Sequence, residues 1–169
     1  LNREVAKVNE NEIEGQSRKT GAKSSRLTRW LVGIGLAGSV TACASIDPAL
    51  ITREAGKEPY QAPREELVKA GAELWKDPSL GNSGLSCDNC HMMNAQFKKS
   101  FKQPYPHEVA MVNNMAGDVG EITAAQMVQF CMLAPMEAEP LPWDSKELAA
   151  LAAYVDDVVQ PAFAADKAR

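Results

Sequence analysis

Aromatic residues are scarce, 6% of 169, and no methionine precedes Met92. A small domain with so few aromatics builds a thin core, and a large bound cofactor would help to fill it. Basic charge is also in the minority: 18 Lys and Arg face 22 Asp and Glu, for a net −4 and a pI near 5.3. That balance argues against a nucleic-acid binder, which carries a basic stripe. No stretch offers the roughly 20 apolar residues of a membrane-spanning helix. No run alternates in the two-residue period of a half-buried strand, and no segment repeats. The chain therefore reads as all-α. Cysteine is sparse, and its four positions, Cys43, Cys87, Cys90 and Cys131, each need a role.

The N-terminal part reads as an address. Residues 30–40, "WLVGIGLAGSV", are apolar, with Arg26 and Arg29 ahead of them. A basic region followed by a short apolar one is the layout of an export signal. "VTAC" follows, an apolar residue, two small ones and Cys43, as in a bacterial lipobox. The expectation is a signal segment over 1–42 with the lipobox at 40–43, and lipidation of Cys43. Acyl chains contribute about 0.8 kcal/mol per buried CH₂ to such an anchor. An ordinary export signal with an incidental cysteine is the plainer alternative. The sequence opens on Leu1; a start at Leu27 would give a leader of more usual length. The removed part is net basic, so the mature domain would be more acidic than the whole chain. A redox partner with a basic docking face suits that charge.

Residues 43–62, with Pro48, Gly56 and Pro59, read as a tether. "REELVKAGAELWKD" then starts a helix behind Pro63, with Leu67, Ala70, Gly71, Leu74 and Trp75 on one face. "DPSLGNSGLS" is a loop. "ITAAQMVQFCMLA" (122–134) is helical and capped by Thr123. "WDSKELAALAAYVDDVVQ" is the strongest helix, capped by Asp144 or Ser145, with Leu148, Leu151, Ala152, Val155 and Val159 in one stripe. About four helices make one domain over 63–163, and 164–169 form a tail.

"SCDNCH" carries the chemistry. Cys87 and Cys90 lie three apart with His91 directly after, the pattern of covalent c-type haem attachment. Two thiols add to the two haem vinyl groups, and the adjacent histidine offers Nε2 to iron. Its Nδ1–H should donate to a backbone carbonyl, which fixes the tautomer. Zinc needs a second, well-separated ligand pair, and the chain has none. A dithiol redox centre needs a strand–helix–strand setting that is missing. One haem c is expected.

Helix, CxxCH and the terminal "LAALAAYV" together resemble class I cytochromes c across residues 63–160. In that resemblance Gly71, Leu74 and Trp75 match the N-terminal helix contacts, and Leu151 and Tyr154 their C-terminal partners. A tighter resemblance is to thiosulfate dehydrogenases and the haem subunits of the thiosulfate-oxidising complex. "FCMLAPMEAEPLPWDSKELAALAAYV" is similar to their distal-ligand segment, a cysteine followed by a proline-bearing loop and a helix. "LWKDPSLGNSGLSCDNCH" is also similar to the attachment segment of bacterial dihaem peroxidases. A single CxxCH excludes a complete two-haem enzyme.

The sixth iron ligand has two candidates. Met136, in the loop before the last helix, is the conventional one; a thioether raises the potential and suits electron carriage. Cys131 is the candidate the sulfur-oxidising resemblance implies, and a thiolate there could serve sulfur chemistry. Its plainer role is a buried core cysteine. His107, beside Pro106, reads as a surface-loop residue. Met111, Met115, Met127 and Met132 read as core or haem-lining, and Met92 and Met93 lie too near His91 to reach the opposite face. The expected function is a membrane-tethered, periplasmic one-haem cytochrome carrying single electrons. The alternative is an enzyme or subunit oxidising thiosulfate or a related sulfur compound through Cys131.

Overall fold

The computed structural model describes residues 45–166. The apolar run 30–40, the lipobox and Cys43 lie outside the described residues, as do 167–169.

α1 (Arg64–Leu74) begins behind Pro63, and Glu65 and Glu66 occupy its first turn, where the helix dipole favours negative charge. Its inward face is the stripe expected from the sequence: Leu67, Gly71 and the following Trp75 are buried, Ala70 and Leu74 partly so. That face lies across α5 (Lys146–Tyr154), the most extensive helix pair in the domain. Gly71 makes the crossing possible. A Cβ there would run into the Ala150 carbonyl oxygen and lie 2.6 Å from the Tyr154 Cβ.

α5 is capped by Ser145, whose Oγ accepts from the Leu148 N–H at 3.2 Å. It does not end where the stripe predicted. A π-helical turn (Val155–Val159) leads into α6 (Gln160–Ala165). Pro161 supplies the reason: it has no N–H for the carbonyl four residues back, and its ring crowds that carbonyl. The wider turn relieves the clash. By length and composition alone, residues 146–165 could cross a membrane. Here Leu148, Leu151, Val155 and Phe163 are buried in the protein core.

α4 (Ala124–Leu133) starts with a reciprocal cap. The Thr123 N–H and hydroxyl donate to Gln126 Oε1, each at 3.0 Å, and the Gln126 N–H donates back to Thr123 Oγ1 at 3.3 Å. Between Cys90 and α4 the structure adds what the sequence reading lacked. β1 (His107–Glu108) pairs antiparallel with β2 (Glu121–Ile122), and α3 (Ala110–Ala116) lies between them. Two-residue strands are too short for alternation to register. α3 turns Val112 and Ala116 inward and leaves Met111, expected in the core or lining the haem, exposed. Met132 is buried, and Met115 and Met127 are partly so.

The stretch expected as a tether is docked in its first part. Ile51 is fully buried with Val112, Ala116, Ile122 and Phe130. The Ile46 N–H donates to the Met115 carbonyl at 2.8 Å, and Asp47 caps a 3₁₀ turn, Pro48–Ile51. Two isoleucines in a proline-bearing segment are buried apolar surface rather than linker. Residues 52–61 are exposed.

Candidate functional site

Cys87, Cys90 and His91 lie on α2 (Cys87–His91), a helix of five residues that needs outside support. Ser86 gives it: its N–H and hydroxyl both donate to Asn89 Oδ1, at 2.7 and 3.0 Å. The Asp88 N–H donates to the Trp75 carbonyl at 3.0 Å, tying α2 to the end of α1. Cys87, Cys90 and Cys131 are all free thiols. Burial pushes the Cys87 thiol up to about 11, so it is protonated at neutral pH.

His91 Nδ1 lies 3.2 Å from the Ala95 carbonyl. A carbonyl only accepts, so Nδ1 carries the proton and Nε2 the lone pair. Burial also lowers the His91 pKa, which favours this neutral form. The Ala95 carbonyl is aimed by an unusual turn: Met93, Asn94 and Gln96 all have left-handed backbone, φ 53, 61 and 63. Asn is the residue among them that adopts this region most readily, and Asn94 Nδ2 is 3.4 Å from Asp166 Oδ2. The imidazole stacks on Phe97 with ring centres 4.1 Å apart, and Phe97 stacks on Phe101 at 4.2 Å. Trp75 lies 5.6 Å from His91 on another side. The sequence reading missed Phe97 and Phe101. Their spacing of four residues was the available signal.

The two sulfurs proposed for the sixth position come from one turn of chain. Cys131 sits near the end of α4, and its carbonyl accepts the Met136 N–H at 3.2 Å. Burial first, then the Cys87 and Cys90 thiols, push the Cys131 thiol up to about 12. Cys131 therefore lies within electrostatic reach of both attachment thiols. Met136 is 3% exposed and belongs to the core cluster of Trp75, Met132 and Leu151, against which Cys87 and Phe97 pack. Its carbonyl accepts from the Asn82 and Ser83 N–H groups at 2.9 and 3.2 Å. Gly81 permits this approach, since a Cβ there would lie 2.5 Å from that carbonyl oxygen.

His107 is not a surface residue. It is 4% exposed, because its strand pairs with the buried Ile122 and its ring stacks on Tyr105 at 4.4 Å. Nδ1 is 3.3 Å from the Pro104 carbonyl, whereas Nε2 is buried without a partner among the described residues. Tyr105 lies within electrostatic reach of Cys131; burial first, and then that thiol, raise its pKa.

A sequence profile described as the SoxA/TsdA cytochrome c domain matches residues 70–160. The chain belongs to this family. No curated protein and no solved structure matched the chain. The match spans the second half of α1, the CxxCH turn, α4 and α5, so this is an all-α cytochrome c domain related to those of thiosulfate dehydrogenases. Membership implies covalently bound haem c and electron transfer. The residues of this SoxA/TsdA-type domain fit that group. Two free thiols stand on one turn, a neutral imidazole beside them has its Nε2 lone pair available, and apolar and aromatic side chains surround them. Among the described residues no three His, Cys, Asp or Glu side chains gather as a metal site, so the donor set suits haem better than a bare ion.

Proposed function

We propose that this chain is a one-haem c-type cytochrome passing single electrons, with haem attached at Cys87 and Cys90 and His91 as proximal ligand. The observation that carries the reading is the His91 Nδ1 contact to the Ala95 carbonyl, 3.2 Å, on a turn that also holds both free thiols. When bound, the haem supplies a one-electron iron couple. The chain's own residues do the rest. Ala95 fixes the tautomer and strengthens Nε2 as a donor. Trp75, Phe97 and Met136 keep water away from the ring.

For the sixth position we favour Cys131, because the resemblance to the sulfur-oxidising cytochromes implies a ligand cysteine in this segment. Met136 is the competitor, its backbone carbonyl held by Asn82 and Ser83. Cys131 at the iron also favours the second reading, a haem protein that oxidises thiosulfate or a related sulfur compound. Optical and low-temperature EPR spectra of the oxidised protein, beside Cys131→Ala and Met136→Ala, decide the ligand. Low-spin thiolate signals lost only in Cys131→Ala support the assignment, and thiosulfate turnover is then the next assay. A methionine–ferric charge-transfer band lost only in Met136→Ala sinks it and leaves plain electron carriage. Absence of covalent haem from the purified protein would sink the reading as a whole.

The proposal extends to a periplasmic lipid anchor at Cys43, supported by the apolar run 30–40 and the small residues before the cysteine. Labelled fatty acid that appears on the wild type and not on Cys43→Ser is the expected result.

A further inference from the structure

The docked start of the domain lies close to the proposed lipid site. The Ile46 N–H donates to the Met115 carbonyl at 2.8 Å, and Ile51 is fully buried with Val112, Ala116 and Ile122. Cys43 stands three residues ahead of Ile46. Consecutive Cα atoms are about 3.8 Å apart, so the two lie within about 11 Å of each other. A flexible linker over residues 43–62 would instead let the domain drift about 25 Å from the lipid. With acyl chains on Cys43, the surface around Ile46 therefore comes to lie at the headgroups.

That surface is uncharged and partly apolar. The docked turn Pro48–Ile51 and residues 109–117, which include α3, hold no charged side chain, in a chain that is 24% charged. Met111, one helical turn from Met115 on the same face of α3, is 45% exposed, and Leu50 on the docked turn is 42% exposed. Pro48, Ala49 and Ala110, next to them in the chain, are exposed as well. Asp47, the carboxylate nearest in sequence, caps the docked turn by accepting from the Ala49 N–H at 2.9 Å. Single exposed apolar side chains are ordinary on protein surfaces. These two stand out by place: each lies four residues from a partner in the Ile46–Met115 contact, beside the lipid site.

We propose that Leu50 and Met111 seat this face in the lipid bilayer, at the boundary between headgroups and acyl chains, and hold the domain in one orientation. Apolar side chains enter that boundary readily, and their contact adds to what the acyl chains supply. Neither segment carries a lysine or arginine, so the contact draws little from anionic headgroups and resists salt. A redox partner then approaches from the remaining surface. The inference rests on lipidation of Cys43 and adds to it the face that meets the membrane.

The test uses the protein as exported, haem-loaded and lipidated, in phosphatidylcholine vesicles that contain a phospholipid with a photoactivatable diazirine in its acyl chain. Crosslinked peptides are mapped by mass spectrometry. Adducts concentrated on residues 46–51 and 110–116, at low and high salt alike, are the expected result. Leu50→Asp with Met111→Asp should reduce them about tenfold, the scale of taking two half-exposed apolar side chains out of lipid. Unaltered haem absorbance and circular dichroism show that this variant folds. Adducts spread evenly over the domain, or undiminished in the variant, overturn the proposal. A dimer in sedimentation that the same two substitutions dissolve also overturns it, since a second copy would then cover the face. No fatty acid on wild-type Cys43 sinks the anchor and this face with it, whereas fatty acid with evenly spread adducts sinks the face alone.

Discussion

His107 carries the buried polar side-chain atom that lacks a partner among the described residues, Nε2. An unpaired buried acceptor costs about 1–3 kcal/mol, while the Nδ1 bond to Pro104 is worth about 1 kcal/mol. His107→Phe keeps the stack on Tyr105 and removes both. If Nε2 is also unpaired in the haem-loaded protein, guanidinium unfolding of this variant should show unchanged or higher stability. A marked loss of stability, or an altered haem spectrum, would mean that Nε2 meets something in the loaded protein. From sequence alone a histidine next to a proline looked exposed; the strand pairing with Ile122 buries it. Cys131 and Met136 show the complementary limit. Their chemistry was legible in the sequence, but their distance from the attachment turn depends on how α4 lies against α2.

Two contacts between α1 and the C-terminal helix define the frame around the site. Gly71→Ala would drive a methyl into the Ala150 carbonyl and the Tyr154 Cβ. The expected loss is about 1–3 kcal/mol, the usual cost of overpacking, read as a lower denaturation midpoint. At the other end, Arg64 Nε and Nη2 donate to the two Asp157 oxygens at 2.8 and 2.7 Å, with Asp156 3.6 Å away. Arg64 holds Asp157 below its ordinary 3.8, so this stabilisation is complete above that value and disappears as pH falls through the lower folded one. Asp156 moves the other way, because burial outweighs Arg64 there. Asp157→Asn should cost about 0.5–1 kcal/mol at neutral pH, since the pair is exposed to solvent. The cost should shrink as pH falls below the ordinary carboxylate value, and paired thermal melts at neutral and acid pH would check it. α1, α4 and α5 were readable because one apolar stripe at helical spacing decides each. α3, the strand pair and the π turn were not: each is fixed by contacts with other elements or by one proline.

For the whole molecule, the aromatic shortage noted in the sequence is met by concentration. Trp75, Phe97, Phe101, Tyr105, Tyr154 and Phe163 form one connected set of ring contacts that includes His91. A core gathered around one cofactor-binding side chain should depend on that cofactor. Cys87→Ala with Cys90→Ala, which would abolish the proposed covalent attachment, is expected to lower stability by about 3 kcal/mol or more, as loss of a tightly bound group does. The readout is unfolding followed by near-UV circular dichroism. Wild-type stability without haem would show that the rings suffice by themselves.

The sequence by itself determined the helical class and the CxxCH turn, and the resemblance to class I cytochromes c implied the pairing of α1 with α5. Helical periodicity and the CxxCH spacing are local, and one glycine marks the crossing. The tertiary structure alone decided that residues 46–51 dock, that His107 is buried and that Cys131 shares one electrostatic neighbourhood with Cys87 and Cys90. Each of these depends on residues distant in sequence meeting in space, and no local pattern encodes that meeting.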